Sequence, residues 1–231
     1  ASNDLDPVFS PDGKRIAYSS DRGGSFDIWI MNSDGRRQTR LTSMPGDERS
    51  PKWRPDGSKV AFLATEQERT DIWVINSDGG GAINLTDDEA VEESFEWSPL
   101  GELLVYDSNK GGRWNVWLTD AQGKDKFQLT ESGDSKHPSW TPDKKSILFS
   151  SNRDGLGFKI YLIDLDGRSV TRLTSGEGND IRPHMSPDGK NIAYVSDREG
   201  KWQVWVMSSN GMNERRAGFA PPGGYSTATW T

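Results

Sequence analysis

The chain has 231 residues, ten of them tryptophan and none cysteine, and carries a net charge of −7. Without thiols there is neither a disulfide framework nor a thiolate nucleophile or ligand, and the acidic balance argues against nucleic acid or an anionic membrane surface as partner. No long apolar run and no positively flanked apolar leader occurs, so neither membrane insertion nor a signal peptide is expected within these residues.

The first predicted element is a short apolar strand, Pro7-Val8-Phe9, that runs into Ser10-Pro11-Asp12-Gly13. Proline presets φ at the first central position of a turn, Asp tolerates the next and Gly supplies positive φ, which makes this a hairpin signal. The second strand, Ile16-Ala17-Tyr18, is apolar at consecutive positions and should be covered on both faces. A polar turn, Ser20-Asp21-Arg22-Gly23-Gly24, leads to a third strand around Ile28-Trp29-Ile30. Asp34-Gly35 then reverses the chain into a fourth strand expected to end in Leu41-Thr42.

The same order of elements then recurs. Opening strands return at Pro51-Lys52-Trp53, Phe95-Glu96-Trp97, Pro138-Ser139-Trp140 and Pro183-His184-Met185, and Trp73, Trp117, Tyr161 and Trp205 follow Trp29 at a spacing of 44 residues. Helical periodicity is absent. Four antiparallel strands in a repeat of this length form the signature of a β-propeller blade. The predicted fold is therefore all-β: one propeller domain, 1–231, of four-stranded antiparallel blades. Repeats lie at about 6–49, 50–93, 94–136, 137–181 and 182–225, and residues 226–231 read as the start of a sixth. A closed five-bladed ring and part of a six-bladed ring both fit.

The run of Pro, aromatic, Ser-Pro-Asp-Gly, apolar strand, Ser-Asp-Arg, aromatic strand, Asp-Gly and Leu-Thr resembles the TolB-like β-propeller repeat family over essentially the whole chain. That resemblance implies a periplasmic or secreted setting in which such a propeller docks other proteins.

Three residues before each opening Pro or Phe stand Asp4, Glu48, Glu92, Ser135 and Asp180, an acid in four repeats of five. In a propeller, the connections between blades and those between second and third strands open on one face. An acidic ring at the channel mouth is expected, deepened between repeats two and three by Asp87, Asp88, Glu89 and Glu93, with Arg49, Lys136, His137 and Arg182 interleaved among its members. The candidate binding residues are thus Asp4, Glu48, Arg49, Glu92, Glu93, His137, Asp180 and Arg182; the alternative is that the carboxylates cap backbone N–H groups. The same face should carry Arg22, Lys110, Arg153 and Arg198, one from each second turn except that of repeat two, where Glu66 stands. Phe26, Trp114, Phe158 and Trp202 begin the third strands beside them.

Catalytic patterns are weak. Gly23-Gly24-Ser25-Phe26-Asp27 lacks the last glycine of a nucleophile elbow and joins two strands instead of a strand and a helix. His137 and His184 occupy neighbouring repeats without convergent partners. Asp164-Leu165-Asp166-Gly167 begins like a calcium loop, but the later ligands do not follow. The expected function is a non-catalytic scaffold, without metal or cofactor, that docks a basic or neutral protein or peptide on the channel-mouth face. The alternatives are a substrate-gating propeller of a larger hydrolase, as in prolyl-oligopeptidase relatives, and a propeller holding a small ligand or metal in its channel.

Overall fold

The structure is a computed structural model that describes residues 2–166 and 168–219; the expected start of a sixth repeat lies outside the described residues. Twenty strands and no helix are found there, arranged as five four-stranded antiparallel sheets. The first sheet comprises β1 (Asp4–Phe9), β2 (Arg15–Ser20), β3 (Asp27–Asn32) and β4 (Thr39–Arg40). The second comprises β5 (Asp47–Trp53), β6 (Lys59–Glu66), β7 (Arg69–Asn76) and β8 (Ile83–Asn84), and the third β9 (Glu92–Trp97), β10 (Leu103–Ser108), β11 (Asn115–Asp120) and β12 (Lys126–Gln128). The fourth holds β13 (Ser135–Trp140), β14 (Ser146–Ser151), β15 (Lys159–Asp164) and β16 (Val170–Arg172), and the fifth β17 (Asp180–Met185), β18 (Asn191–Ser196), β19 (Gln203–Ser208) and β20 (Arg215–Phe219). Each is a meander in chain order with its first and fourth strands at the edges. Backbone contacts gather the described residues into two compact units: those up to residue 93 with 100–104 and 119–126, and residues 94–99 with 105–118 and those from 127 onward.

As the apolar runs require, the second strands are buried on both faces: Ala17, Val60, Ala61, Phe62, Leu148, Phe149 and Tyr194 are all shielded from solvent. In the first unit Ala17, Ile28, Ile30, Trp53, Phe62 and Ile75 form one cluster, with Val8, Leu41, Met44 and Trp73 packed against it. In the second, Leu148, Ile160, Ile192, Tyr194 and Met207 do the same. Each cluster joins two sheets, neither of which buries enough alone to stand, and each large side chain so covered contributes about 1.5–3 kcal/mol.

Two recurring details go beyond the strand-and-turn pattern of the sequence. The opening strand of four sheets carries a β-bulge immediately before its proline, with Asp6, Ser50, His137 and Arg182 at φ of 51°, 55°, 53° and 56°. Proline has no ladder donor and is tolerated at an edge strand or a bulge; Pro7, Pro51, Pro138 and Pro183 occupy both. The bulge also turns an N–H away from its own ladder: that of His137 donates to Asp107 Oδ2 at 2.8 Å and that of Arg182 to Ser150 Oγ at 3.1 Å.

The closing Leu-Thr pair, expected to end the fourth strand, lies just beyond it. Leu41, Leu85, Leu129 and Leu173 each donate their N–H to a third-strand carbonyl at 2.8 Å, from Ile28, Ile72, Val116 and Ile160. The next threonine hydroxyl accepts the N–H of that same third-strand residue, at 2.8, 3.0, 2.9 and 3.0 Å. A side chain thus completes the ladder where the fourth strand peels away, so these positions are short and the threonines, from Thr42 to Thr174, are buried.

Candidate functional site

Within each sheet the connection between second and third strands and the entry of the first strand lie at the same end, as antiparallel order dictates. The connections expected to carry the candidate residues therefore converge locally. The blade-opening acids, however, do not form a solvated surface. Glu48 and Asp180 are 0% exposed and Glu92 is 1% exposed; Asp4 alone of the four stays in solvent, paired with Arg22 at 3.0 Å. The burial has a backbone cause. The N–H of Glu48 donates to Phe26 O at 2.7 Å, that of Ser135 to Trp114 O at 2.9 Å and that of Asp180 to Phe158 O at 2.8 Å. Each opening residue is thereby stitched to the start of the preceding third strand and its side chain is carried inward.

The residue one place earlier performs the capping anticipated for the acids. Asp47, Asp134 and Asn179 accept the N–H of Phe26, Trp114 and Phe158 at 3.0, 3.2 and 3.0 Å through their side-chain oxygens. Asp134 and Asn179 are in turn held by second-turn side chains: Asn152 Oδ1 accepts the Asp134 N–H, and Asp197 Oδ1 the Asn179 N–H. The signal is an Asp or Asn directly before the opening residue in four repeats of five, Val91 standing there in the third, masked by the more conspicuous position beside it.

The buried acids differ in their compensation. Asp180 has two cations, Lys159 Nζ at 3.9 Å and an Arg198 nitrogen at 3.0 Å. Lys159 is itself fully buried and donates to the Gly178 carbonyl; burial lowers its ammonium pKa. Asp27, also buried, pairs with Arg40 at 2.5 Å. Glu48 faces Asp27 with no cation paired to it among the described residues. The Thr42 hydroxyl and Met44 N–H lean toward the Glu48 carboxyl, yet neither of its oxygens makes a hydrogen bond of ordinary geometry. Burial first, and the Asp27 charge after it, push the Glu48 carboxyl up to about 7.

What remains accessible is mixed in charge. Arg49 stands over Phe26 at 3.7 Å with Asp47 at 3.2 Å, and Lys136 stands over Trp114 at 3.8 Å. Glu93 is exposed, whereas His137 and Arg182 are half-buried at their bulges. His184 lies 3.7 Å from Glu96. Among the described residues no three His, Asp or Glu side chains gather in a way that would hold a metal ion.

The second-turn cations cover the phased aromatics of the third strands. Arg22 lies 4.6 Å from the Trp29 ring, Lys110 5.7 Å from Trp117, Arg153 5.0 Å from Tyr161 and Arg198 4.6 Å from Trp205. Serines fix the arginines: Ser20, Ser151 and Ser196 accept from the Nε of Arg22, Arg153 and Arg198.

This arrangement of sheets can be set beside known proteins. The family model described as the TolB beta propeller domain matches residues 2–158 and 138–231. The chain belongs to the TolB β-propeller family. An uncharacterised protein of Agrobacterium fabrum is 42% identical to this TolB-family chain over 77 residues, 33% of this chain and 26% of that protein. The aligned part is thus about a quarter of that relative's length. A solved structure assigned to TolB from Agrobacterium tumefaciens superposes with a TM-score of 0.77 at 24% identity, over 93% of this chain and 80% of its own. A puromycin-hydrolyzing peptidase of Mycobacterium tuberculosis gives the same TM-score of 0.77 at 14% identity, covering 94% of this chain and 38% of the peptidase. At these identities the two superpositions establish the propeller fold alone.

Proposed function

We propose that this TolB-family propeller is a non-catalytic scaffold that docks a protein or peptide on the sheet ends where the opening residues and second turns lie, in a periplasmic setting. The observation that carries the reading is the pair of equivalent, partly exposed cation–aromatic contacts, Arg49 on Phe26 and Lys136 on Trp114. Arginine and aromatic side chains are the groups most often responsible for interface energy. With Glu48, Glu92 and Asp180 withdrawn into the protein, the docking groups are Arg49 and Glu93 in the first unit, where Asp4 is the solvated opening acid, and Lys136, His137 and Arg182 in the second.

The test uses peptides selected from a displayed library against the purified chain. Charge reversal in Arg49→Glu/Lys136→Glu should weaken selected peptides by about tenfold or more, the scale of a central interface residue. The control variant Asp12→Lys/Asp188→Lys, at the opposite sheet ends, should leave them unchanged. Loss in the control variant and retention in the first would refute the assigned face.

A second reading, a substrate-gating propeller of a larger hydrolase, is favoured by the fold match to the peptidase, of which this chain covers 38%. A hydrolase domain encoded beside these residues in the parent gene would select it.

A further inference from the structure

Repeat two departs from the others where its second turn should fold back over the third strand. In the first sheet Ser20-Asp21-Arg22-Gly23-Gly24 curls so that Arg22 covers Trp29, held by Ser20 and Gln38. In the second sheet the ladder instead continues to Glu66↔Arg69 and closes through Gln67-Glu68, with Gln67 at φ 58°. Ala64 replaces the anchoring serine and Glu66 the arginine. A two-residue turn of this kind closes the ladder without curling back and leaves the half-buried aromatic of the third strand without a cationic cover. Among the described residues no cationic side chain stands over Trp73, although a cation stands over each of its four counterparts.

The space so opened is a cleft of about 770 Å³, within the range of ligand sites, with Trp73, Met44 and Pro45 in its lining. Its walls carry Glu66, Glu68 and Glu89, exposed and free of ion pairs among the described residues. Arg69, the cation at its edge, is already committed to Asp71 at 2.8 Å and Asp87 at 3.1 Å. An aromatic face with surplus carboxylate around it attracts a cation through both the ring quadrupole and net charge. A planar guanidinium suits it better than an ammonium, because it can stack on the indole while its edge donors reach carboxylates on different walls.

We propose that the second sheet carries a recognition pocket for a guanidinium group, supplied by an arginine side chain of a partner polypeptide, which takes the place that Arg22 fills in the first sheet and Arg198 in the fifth. The pocket depends on the second sheet and the connections that flank it, and stands whether or not Arg49 and Lys136 contribute to docking.

The purified chain is titrated with acetyl-Gly-Arg-Gly-amide and with its citrulline and lysine counterparts, following the Trp73 indole N–H resonance. Citrulline keeps the shape of arginine and removes its charge. The arginine peptide should bind about tenfold or more tightly than citrulline, and its affinity should fall with salt. Glu66→Arg, which supplies an internal guanidinium, should abolish arginine binding. Should that variant fail to fold, Glu68→Gln/Glu89→Gln, altering exposed side chains only, should weaken binding about tenfold at an unchanged melting temperature. The Arg49→Glu/Lys136→Glu protein should still bind the arginine peptide, which separates this pocket from the docking face. Equal affinity for citrulline or lysine, or undiminished binding by both Glu66→Arg and the double Gln variant, would overturn the assignment.

Discussion

Glu48 presents an electrostatic conflict within the first unit: a fully buried carboxyl beside the Asp27 carboxylate, with Arg40 already engaged by Asp27. The folded protein holds the Glu48 proton up to a pH of about 7, whereas the unfolded chain releases it near the ordinary value of 4.5. Between those limits the folded state binds more protons, so stability falls as pH rises through the window and the deficit is complete above it. A shift of this size corresponds to about 3 kcal/mol. Glu48→Gln removes the charge and should melt higher than the parent at pH 8 while matching it near pH 4.5, the gap opening through pH 5–7. Parallel melting curves across that range would rule out Glu48 as the source. Asp12 and Asp188 act in the opposite sense: the Ser10 and Ser186 hydroxyls hold their carboxyls below the usual range, so their contribution is lost as pH falls through those depressed values.

At the scale of the element, the opening hairpins show how closely turn chemistry was legible. Gly13, Gly57 and Gly189 take φ of 69°, 71° and 71° at the position where Pro-Asp-Gly predicts a left-handed residue. Repeat four places Lys144 there at φ 63°, with its side chain exposed. A non-glycine residue in that region costs about 1–2 kcal/mol, partly offset by the greater freedom glycine gives the unfolded chain. Lys144→Gly should therefore stabilise by about 0.5–1 kcal/mol, read as a higher denaturant midpoint at unchanged slope; a lower midpoint would show that the strain is absorbed elsewhere. The strands and their order were readable because each is a short apolar run bounded by turn residues. The fourth strands were misplaced at their ends because a threonine hydroxyl, invisible to hydrophobic patterning, finishes the ladder. The bulges had a sequence trace in the proline that follows them, but only the register reveals the N–H they redirect.

The candidate site was legible only in part, and the reason is directional. Repeat spacing locates a residue at an end of its sheet but does not tell whether its side chain turns outward, and Glu48, Glu92 and Asp180 turn in. The departure at Glu66, by contrast, is visible in the sequence and marks the second turn that, among the described residues, leaves its aromatic without a cation over it.

For the molecule as a whole, stability resides in local clusters, each shared by two sheets, and backbone contacts divide the chain into two units with cores of their own. In repeat proteins such terms are close to nearest-neighbour sums, and opening then proceeds regionally. Amides of β2, β6, β14 and β18, paired on both sides within their sheets and covered on both faces, should exchange slowest with solvent. Those of β4 and β8, two residues each at sheet edges, should exchange fastest among the strands. Phe62→Leu loosens the first-unit cluster alone, with a cost of about 1 kcal/mol expected for such a core change. Protection of β2 and β6 amides should therefore drop roughly fivefold under exchange at native conditions, while β14 and β18 keep most of theirs. An equal loss in all four strands would mean that the described sheets open only together, as one cooperative unit.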